Sequence, residues 1–148
     1  MNLMNYFSPL PKIDHARITA AIGDAERRTS GEIRVVLSRV QVDDPVAAAE
    51  REFDRLGMVS TAARNGVLIY LAPRSRKFAV IGDRGIHEKC GPIFWSELAA
   101  AMTEHFKRAD FTAGLELGIT RAGDLLATHF PRANDDRDEL PNAITESG

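Results

Sequence analysis

The segment VLIYL at residues 67–71 is the feature that most limits how this chain can fold. Its five consecutive apolar residues do not alternate with polar ones, which is typical of a strand that is buried on both faces. Such a strand lies inside a sheet that has helices packed on each side. We therefore expect an α/β protein in which residues 67–71 form a central strand.

Two further segments complete the predicted sheet. Residues 32–40 are rich in β-branched side chains, and residues 77–82 follow the central strand after a short turn. The short turn predicts an antiparallel hairpin. The first and second strands are joined by a helical segment, which predicts a parallel pair with a right-handed crossover.

Helix signals occupy most of the remaining sequence. Asp14 and Asp44 are predicted N-caps, and Pro45 suits the first helical position after Asp44. Further apolar stripes at helical spacing follow Pro92 and Asp110. These patterns predict a three-layer α/β/α sandwich, with a small mixed β-sheet flanked by about four helices.

The length of 148 residues suits one domain with its own core. We expect an N-terminal arm over residues 1–12, the α/β domain over 13–131, and a polar, mobile tail over 132–148. No segment has the ~18 uninterrupted apolar residues of a membrane span. The N-terminus has no signal-peptide pattern, so we expect a cytoplasmic location, with a membrane-protein partner left open.

The net charge of −2 gives no indication of binding to nucleic acid or to an anionic membrane. Cys90 is the only cysteine, so the chain cannot form an internal disulfide. Because no cysteine and histidine pattern accompanies it, we interpret Cys90 as a buried, inert thiol.

The predicted strand directions bring several polar residues to one edge of the sheet. The N-terminal ends of the first two strands and the C-terminal end of the third meet there. A ligand-binding site at this edge would contain Glu32, Arg64, Asn65, Asp83, Arg84 and His87.

Two interpretations of this edge remain open. The carboxylates of Asp83 and Glu32 with an amide oxygen suit Ca²⁺ or Mg²⁺ better than Zn²⁺. Alternatively, Asp83 caps the following helical turn, Asn65 occupies a turn, and Glu32 pairs with Arg64. The opposite edge, with the basic segment PRSRK, is interpreted as a solvated hairpin.

Five short segments follow one another along the chain: TSGEIRVVL (29–37), RNGVLIYLA (64–72), FAVIGDRGI (78–86), DFTAGLELGI (110–119) and DELPN (138–142). Together they resemble the TPM domain, a family found in bacterial and plant proteins. The resemblance extends from about residue 13 to 142. It implies an α/β/α sandwich, and it implies an activity that ranges from acid phosphatase to calcium binding to assembly or repair of other proteins.

The chain departs from the family pattern at two loops. Where the family usually has Asp-Asn-Gly, this chain has Arg64, Asn65 and Gly66, so one carboxylate is absent. In the next loop, His87 lies near the position of a family glutamate, and Asp83 is a candidate replacement for the lost acid.

Two functions follow as hypotheses. The first is a binding module for a small ligand, a metal ion or an unknown protein partner. The second is a divalent-metal-assisted, acid-phosphatase-like hydrolase, in which Asp83 and Glu32 hold the ion, Asn65 orients the substrate, and Arg64 or Arg84 neutralises phosphate. No nucleophile or base is evident in the sequence, so whether the protein is an enzyme stays open.

Overall fold

The computed structural model describes residues 12–132 and 144–147. Within them the sheet has four strands, β1 (Glu32–Ser38), β2 (Gly66–Ala72), β3 (Lys77–Gly82) and β4 (Ile144–Ser147). Their order across the sheet is β3-β2-β1-β4. β1 is parallel to β2 and to β4, and β3 is antiparallel to β2, so the predicted mixed sheet is confirmed.

Five α-helices lie in the same described residues. They are α1 (His15–Glu26), α2 (Pro45–Arg55), α3 (Arg84–Cys90), α4 (Pro92–Lys107) and α5 (Phe111–His129), with 3-10 turns at Met58–Ser60 and Pro73–Ser75. The sequence predicted about four helices, and the additional one is α3. None of the described helices is both long and apolar enough to cross a membrane.

The predicted caps fix where the helices begin. Asp14 accepts a hydrogen bond from the backbone N–H of Arg17 at 3.1 Å, and Asp44 caps α2 in the same way with Pro45 at its first position. Asp110 does the same for α5. Each cap satisfies a backbone donor that the first helical turn leaves unpaired.

Every residue of β2 is buried, so the sheet is covered on both faces. One face of the sheet packs with α1, α4 and α5 into the larger core. The other face packs against α2, where Phe53 and Met58 contribute to a smaller core. The three-layer sandwich is therefore confirmed.

The C-terminal strand was not predicted. Ile144–Ser147 extends the sheet beyond β1, and the backbone N–H of Arg39 donates to the carbonyl of Ser147 at 2.7 Å. The predicted arm up to residue 11, residues 133–143 of the predicted tail, and Gly148 lie outside the described residues.

Candidate functional site

Glu32, Gly66 and Asp83 form one row across the sheet, at the edge where the sequence placed a site. Glu32 pairs with Gly66 between β1 and β2, and the backbone N–H of Asp83 donates to the carbonyl of Gly66 at 2.9 Å. With a strand spacing of about 4.8 Å, the Cα atoms of Glu32 and Asp83 lie about 10 Å apart.

Asp83 is engaged by its neighbours. Arg64 forms a two-pronged ion pair with it, Nε to Oδ2 at 2.7 Å and Nη2 to Oδ1 at 2.9 Å. The same Oδ1 accepts the backbone N–H of Arg84 at 2.8 Å and so caps α3. Three of about four acceptor positions of this carboxylate are therefore filled. The hydrogen bond to Asp83 also raises the pKa of Arg64 above its ordinary value.

The two glycines of the GDRG segment are explained by close packing. A Cβ on Gly85 would collide with the backbone carbonyl of Ala63 and lie 2.7 Å from that of Arg64. The N–H of Gly85 donates to the Arg64 carbonyl at 3.0 Å, so α3 begins directly against the loop before β2. Gly82 likewise leaves room for the ring of Trp95.

Apolar side chains pack over Gly66, the middle residue of the row that contains the two predicted metal ligands. A Cβ built on Gly66, which lies between Glu32 and Asp83, would meet Met58 Cε at 3.3 Å and Phe53 Cζ at 3.4 Å. The described residues contain no group of three or more histidine, cysteine, aspartate or glutamate side chains that could hold a metal ion. A Ca²⁺ or Mg²⁺ ion shared by Asp83 and Glu32 stays a prediction.

Asn65 connects the loops that precede β1 and β2. Its backbone N–H donates to Oγ1 of Thr61, and its Nδ2 donates to Oγ of Ser30, both at 3.2 Å. The side chain is buried, and its Oδ1 has no hydrogen-bond partner in the described part of the chain. This geometry agrees with a turn residue that holds two loops together.

A cleft of about 590 Å³ opens beside Asp83, between α2, the end of β3 and the start of α4. Glu50 and Asp54 of α2 and Asp83 place three carboxylates in its wall. His87 and Trp95 add two rings whose centroids are 5.4 Å apart. We call this cavity the acidic cleft.

The acidic cleft divides the predicted site residues. Asp83 and His87 lie in its wall, whereas the other four are outside its lining: Glu32, Arg64, Asn65 and Arg84. Sequence reasoning missed Glu50 and Asp54, because acidic residues four apart on an amphipathic helix look like an ordinary solvated face.

A second group of charged residues, also missed, is buried beside β4. Glu26 Oε2 accepts the backbone N–H of Ile33 at 2.9 Å, and Arg34 Nη2 donates to Oγ1 of Thr145 at 2.9 Å. Burial lowers the pKa of Arg34, opposed by the nearby carboxylates of Glu26 and Glu32. Arg34 occupies a position in β1 whose side chain faces the interior. A charged residue at such a position is the signal that could have revealed this buried group.

Comparison with known families identifies the family of this chain. The family model for the TPM domain matches residues 6–125. This chain belongs to the TPM-domain family. The resemblance found in its sequence motifs is thereby confirmed.

Solved structures agree with this membership. The BA42 protein from the psychrophilic bacterium Bizionia argentinensis is 42% identical, with a TM-score of 0.83, over 90% of this TPM-domain chain and 92% of that one. An N-terminal domain from P. gingivalis is 14% identical, with a TM-score of 0.66, over 90% and 94%.

The N-terminal domain of the cg2496 protein from Corynebacterium glutamicum is 17% identical, with a TM-score of 0.57, over 88% of this chain and 76% of that one. The two more distant structures show that the fold is shared. A comparison with curated proteins gave no match.

Proposed function

We propose that this TPM-domain protein is a binding module whose ligand site is the acidic cleft, and that the ligand is a basic, partly apolar segment of a partner protein. The observation that carries the proposal is the composition of the cleft wall. It holds the exposed carboxylates of Glu50 and Asp54 beside Asp83, which Arg64 already pairs, and no lysine or arginine among the described lining residues.

The remaining wall indicates that the ligand is not a bare ion. Val46 and Val59 line the cleft and are 49% and 41% exposed, so apolar surface is available next to the carboxylates. Trp95 and His87 add aromatic faces. Lysine and arginine side chains combine an apolar stem with a cationic head, and they match a wall of this kind by charge and by cation–π contact.

The arrangement of Asp83 supports binding more than hydrolysis. Its carboxylate is held by Arg64 and by the first N–H of α3, which fixes one edge of the cleft. A metal-assisted phosphatase needs a free carboxylate pair for the ion, whereas Asp83 is already paired with Arg64, and Phe53 and Met58 pack over Gly66 between Asp83 and Glu32. The phosphatase hypothesis stays a prediction.

The test is an amide NMR titration of the full chain with a peptide of alternating lysine and leucine. We expect saturable shifts confined to residues around the acidic cleft. The variant Glu50→Gln/Asp54→Asn should weaken binding about fivefold, because each exposed charge contact contributes up to about 1 kcal/mol. The matched control Glu97→Gln/Glu104→Gln removes two exposed carboxylates outside the cleft and should bind as the parent does.

Two outcomes would contradict the proposal. One is equal binding of a peptide that alternates glutamate and leucine. The other is a rise in melting temperature with CaCl₂ or MgCl₂ alone that Asp83→Asn abolishes, because that result would make the site a metal site. Release of phosphate from an aryl phosphate in the presence of these metals would support the hydrolase instead.

A further inference from the structure

A second cavity lies at the opposite end of β3 from the acidic cleft. Its volume is about 750 Å³, within the range of small-molecule sites. It is bounded by the end of β2, the start of β3 and the junction of α4 with α5. In open α/β sheets, ligands usually bind at this carboxyl end of the parallel strands.

The floor of this cavity is aromatic. Phe78 meets Phe106 edge-on with ring centroids 4.9 Å apart, and Phe106 stacks on Phe111 at 5.8 Å. All three phenylalanines line the cavity. The lining therefore offers a large apolar surface to the body of a ligand.

The rim of the cavity is basic. Arg76, Lys77 and Lys107 line it, and no carboxylate does so among the described residues. The ammonium of Lys77 donates to the neutral backbone carbonyl of Asp43 at 2.7 Å, so its charge is not cancelled by that contact. An apolar floor with a cationic rim matches a molecule that has an apolar body and one anionic group.

Two left-handed residues shape the lining. Arg76 and Ala109 have φ values of 54° and 58°. Arg76 ends the turn between β2 and β3, and Ala109 belongs to a Schellman motif at the end of α4, in which its N–H donates to the carbonyl of Phe106. The sequence had suggested only a solvated basic turn here.

We propose that this cavity, the basic pocket, binds a small amphipathic anion such as a medium-chain carboxylate or an aryl acid. The proposal is independent of the acidic cleft, because the linings of the two cavities share no residue.

The probe for the test is octanoate, used below its micelle concentration and followed by amide NMR of the full chain. We expect saturable shifts around Phe78, Phe106 and Phe111, and clearly weaker binding of 1-octanol and of octylammonium. The same shifts with naphthoate would show that aryl acids are also accepted. Equal binding of 1-octanol would overturn the proposal, because it would leave the basic rim without a role.

The double variant Arg76→Asn/Lys107→Gln removes two rim charges, and asparagine tolerates the left-handed backbone at position 76. We expect octanoate binding to weaken about fivefold in it. The control Lys89→Gln/Arg121→Gln removes two exposed charges elsewhere and should leave binding unchanged. An equal loss in both double variants, or no saturable octanoate binding to the parent, would overturn the proposal.

Discussion

Replacing Gly85 with alanine tests the close packing of α3 against the loop before β2, beside the acidic cleft. Gly85 lies in the first turn of α3, where alanine is favoured over glycine by about 1 kcal/mol of helix propensity. The structure predicts instead that the substitution lowers the free energy of unfolding. The added methyl group would strike the backbone carbonyls of Ala63 and Arg64, and neither can move without shifting the loop before β2.

The magnitude follows from these two effects. Overpacking against backbone costs about 3 kcal/mol, which the propensity gain lowers to a net loss of about 2 kcal/mol. For a domain of this size, whose urea m value is about 2 kcal/mol/M, the unfolding midpoint should fall by about 1 M. Circular dichroism at increasing urea concentration measures this midpoint directly.

Gly118→Ala is the matched control. The substitution and the helical setting are the same, but the nearest obstacle is Cε of Met102 at 2.7 Å, the far end of a flexible side chain. We expect its unfolding free energy to stay within about 1 kcal/mol of the parent. If Gly85→Ala is as stable as the parent, or if both variants lose the same stability, the packing of α3 against the loop before β2 does not contribute to stability in this way.

Three further predictions concern other parts of the molecule. Arg34→Met should lower the unfolding free energy by about 3 kcal/mol and speed amide exchange in β4, because it removes a positive charge buried among carboxylates; an unchanged urea midpoint would contradict this. Cys90 should react with iodoacetamide more slowly in the native protein than in urea, because burial raises the pKa of its thiol and lowers the thiolate fraction; equal rates would refute the assignment. The hydrogen bond from Arg39 lowers the pKa of Glu146, so its contribution to stability is present above the unfolded pKa and is lost as pH falls through the folded value. On acidification from about pH 6 to about pH 2 the parent should therefore lose more stability than Glu146→Gln, and identical losses would exclude this contribution.

Local patterns predicted most of the fold because they act over short distances. A run of apolar residues at 67–71 requires cover on both faces, and Asp14 and Asp44 satisfy donors within their own helices. The strand Ile144–Ser147 had no such signal. Its four residues are partly polar, and pairing with β1 over more than a hundred positions of sequence decides its conformation.

The candidate site was predicted less completely, because it too depends on contacts between residues that are distant in sequence. Strand directions predicted that Glu32 and Asp83 gather at one edge of the sheet, but they could not show that Phe53 and Met58 pack over Gly66 between them. That packing is a tertiary property of α2 and the turn after it. The same helix brings Glu50 and Asp54 to the cleft, where no motif in the sequence marks them.

Both cavities adjoin left-handed residues that are not glycine. Arg64, beside the acidic cleft, has a φ of 51°, and Arg76 and Ala109 in the basic pocket have 54° and 58°. Glycine would relieve a strain of about 1–2 kcal/mol at each position. A side chain at such a position therefore has a local cost. For Arg64 the ion pair with Asp83 offsets that cost. The same ion pair fixes the edge of the cleft. Arg76 has no carboxylate partner of this kind among the described residues, and it lines the aromatic cavity. The proposed anionic ligand would supply a counter-charge at this position, and the octanoate titration tests for that interaction in the basic pocket.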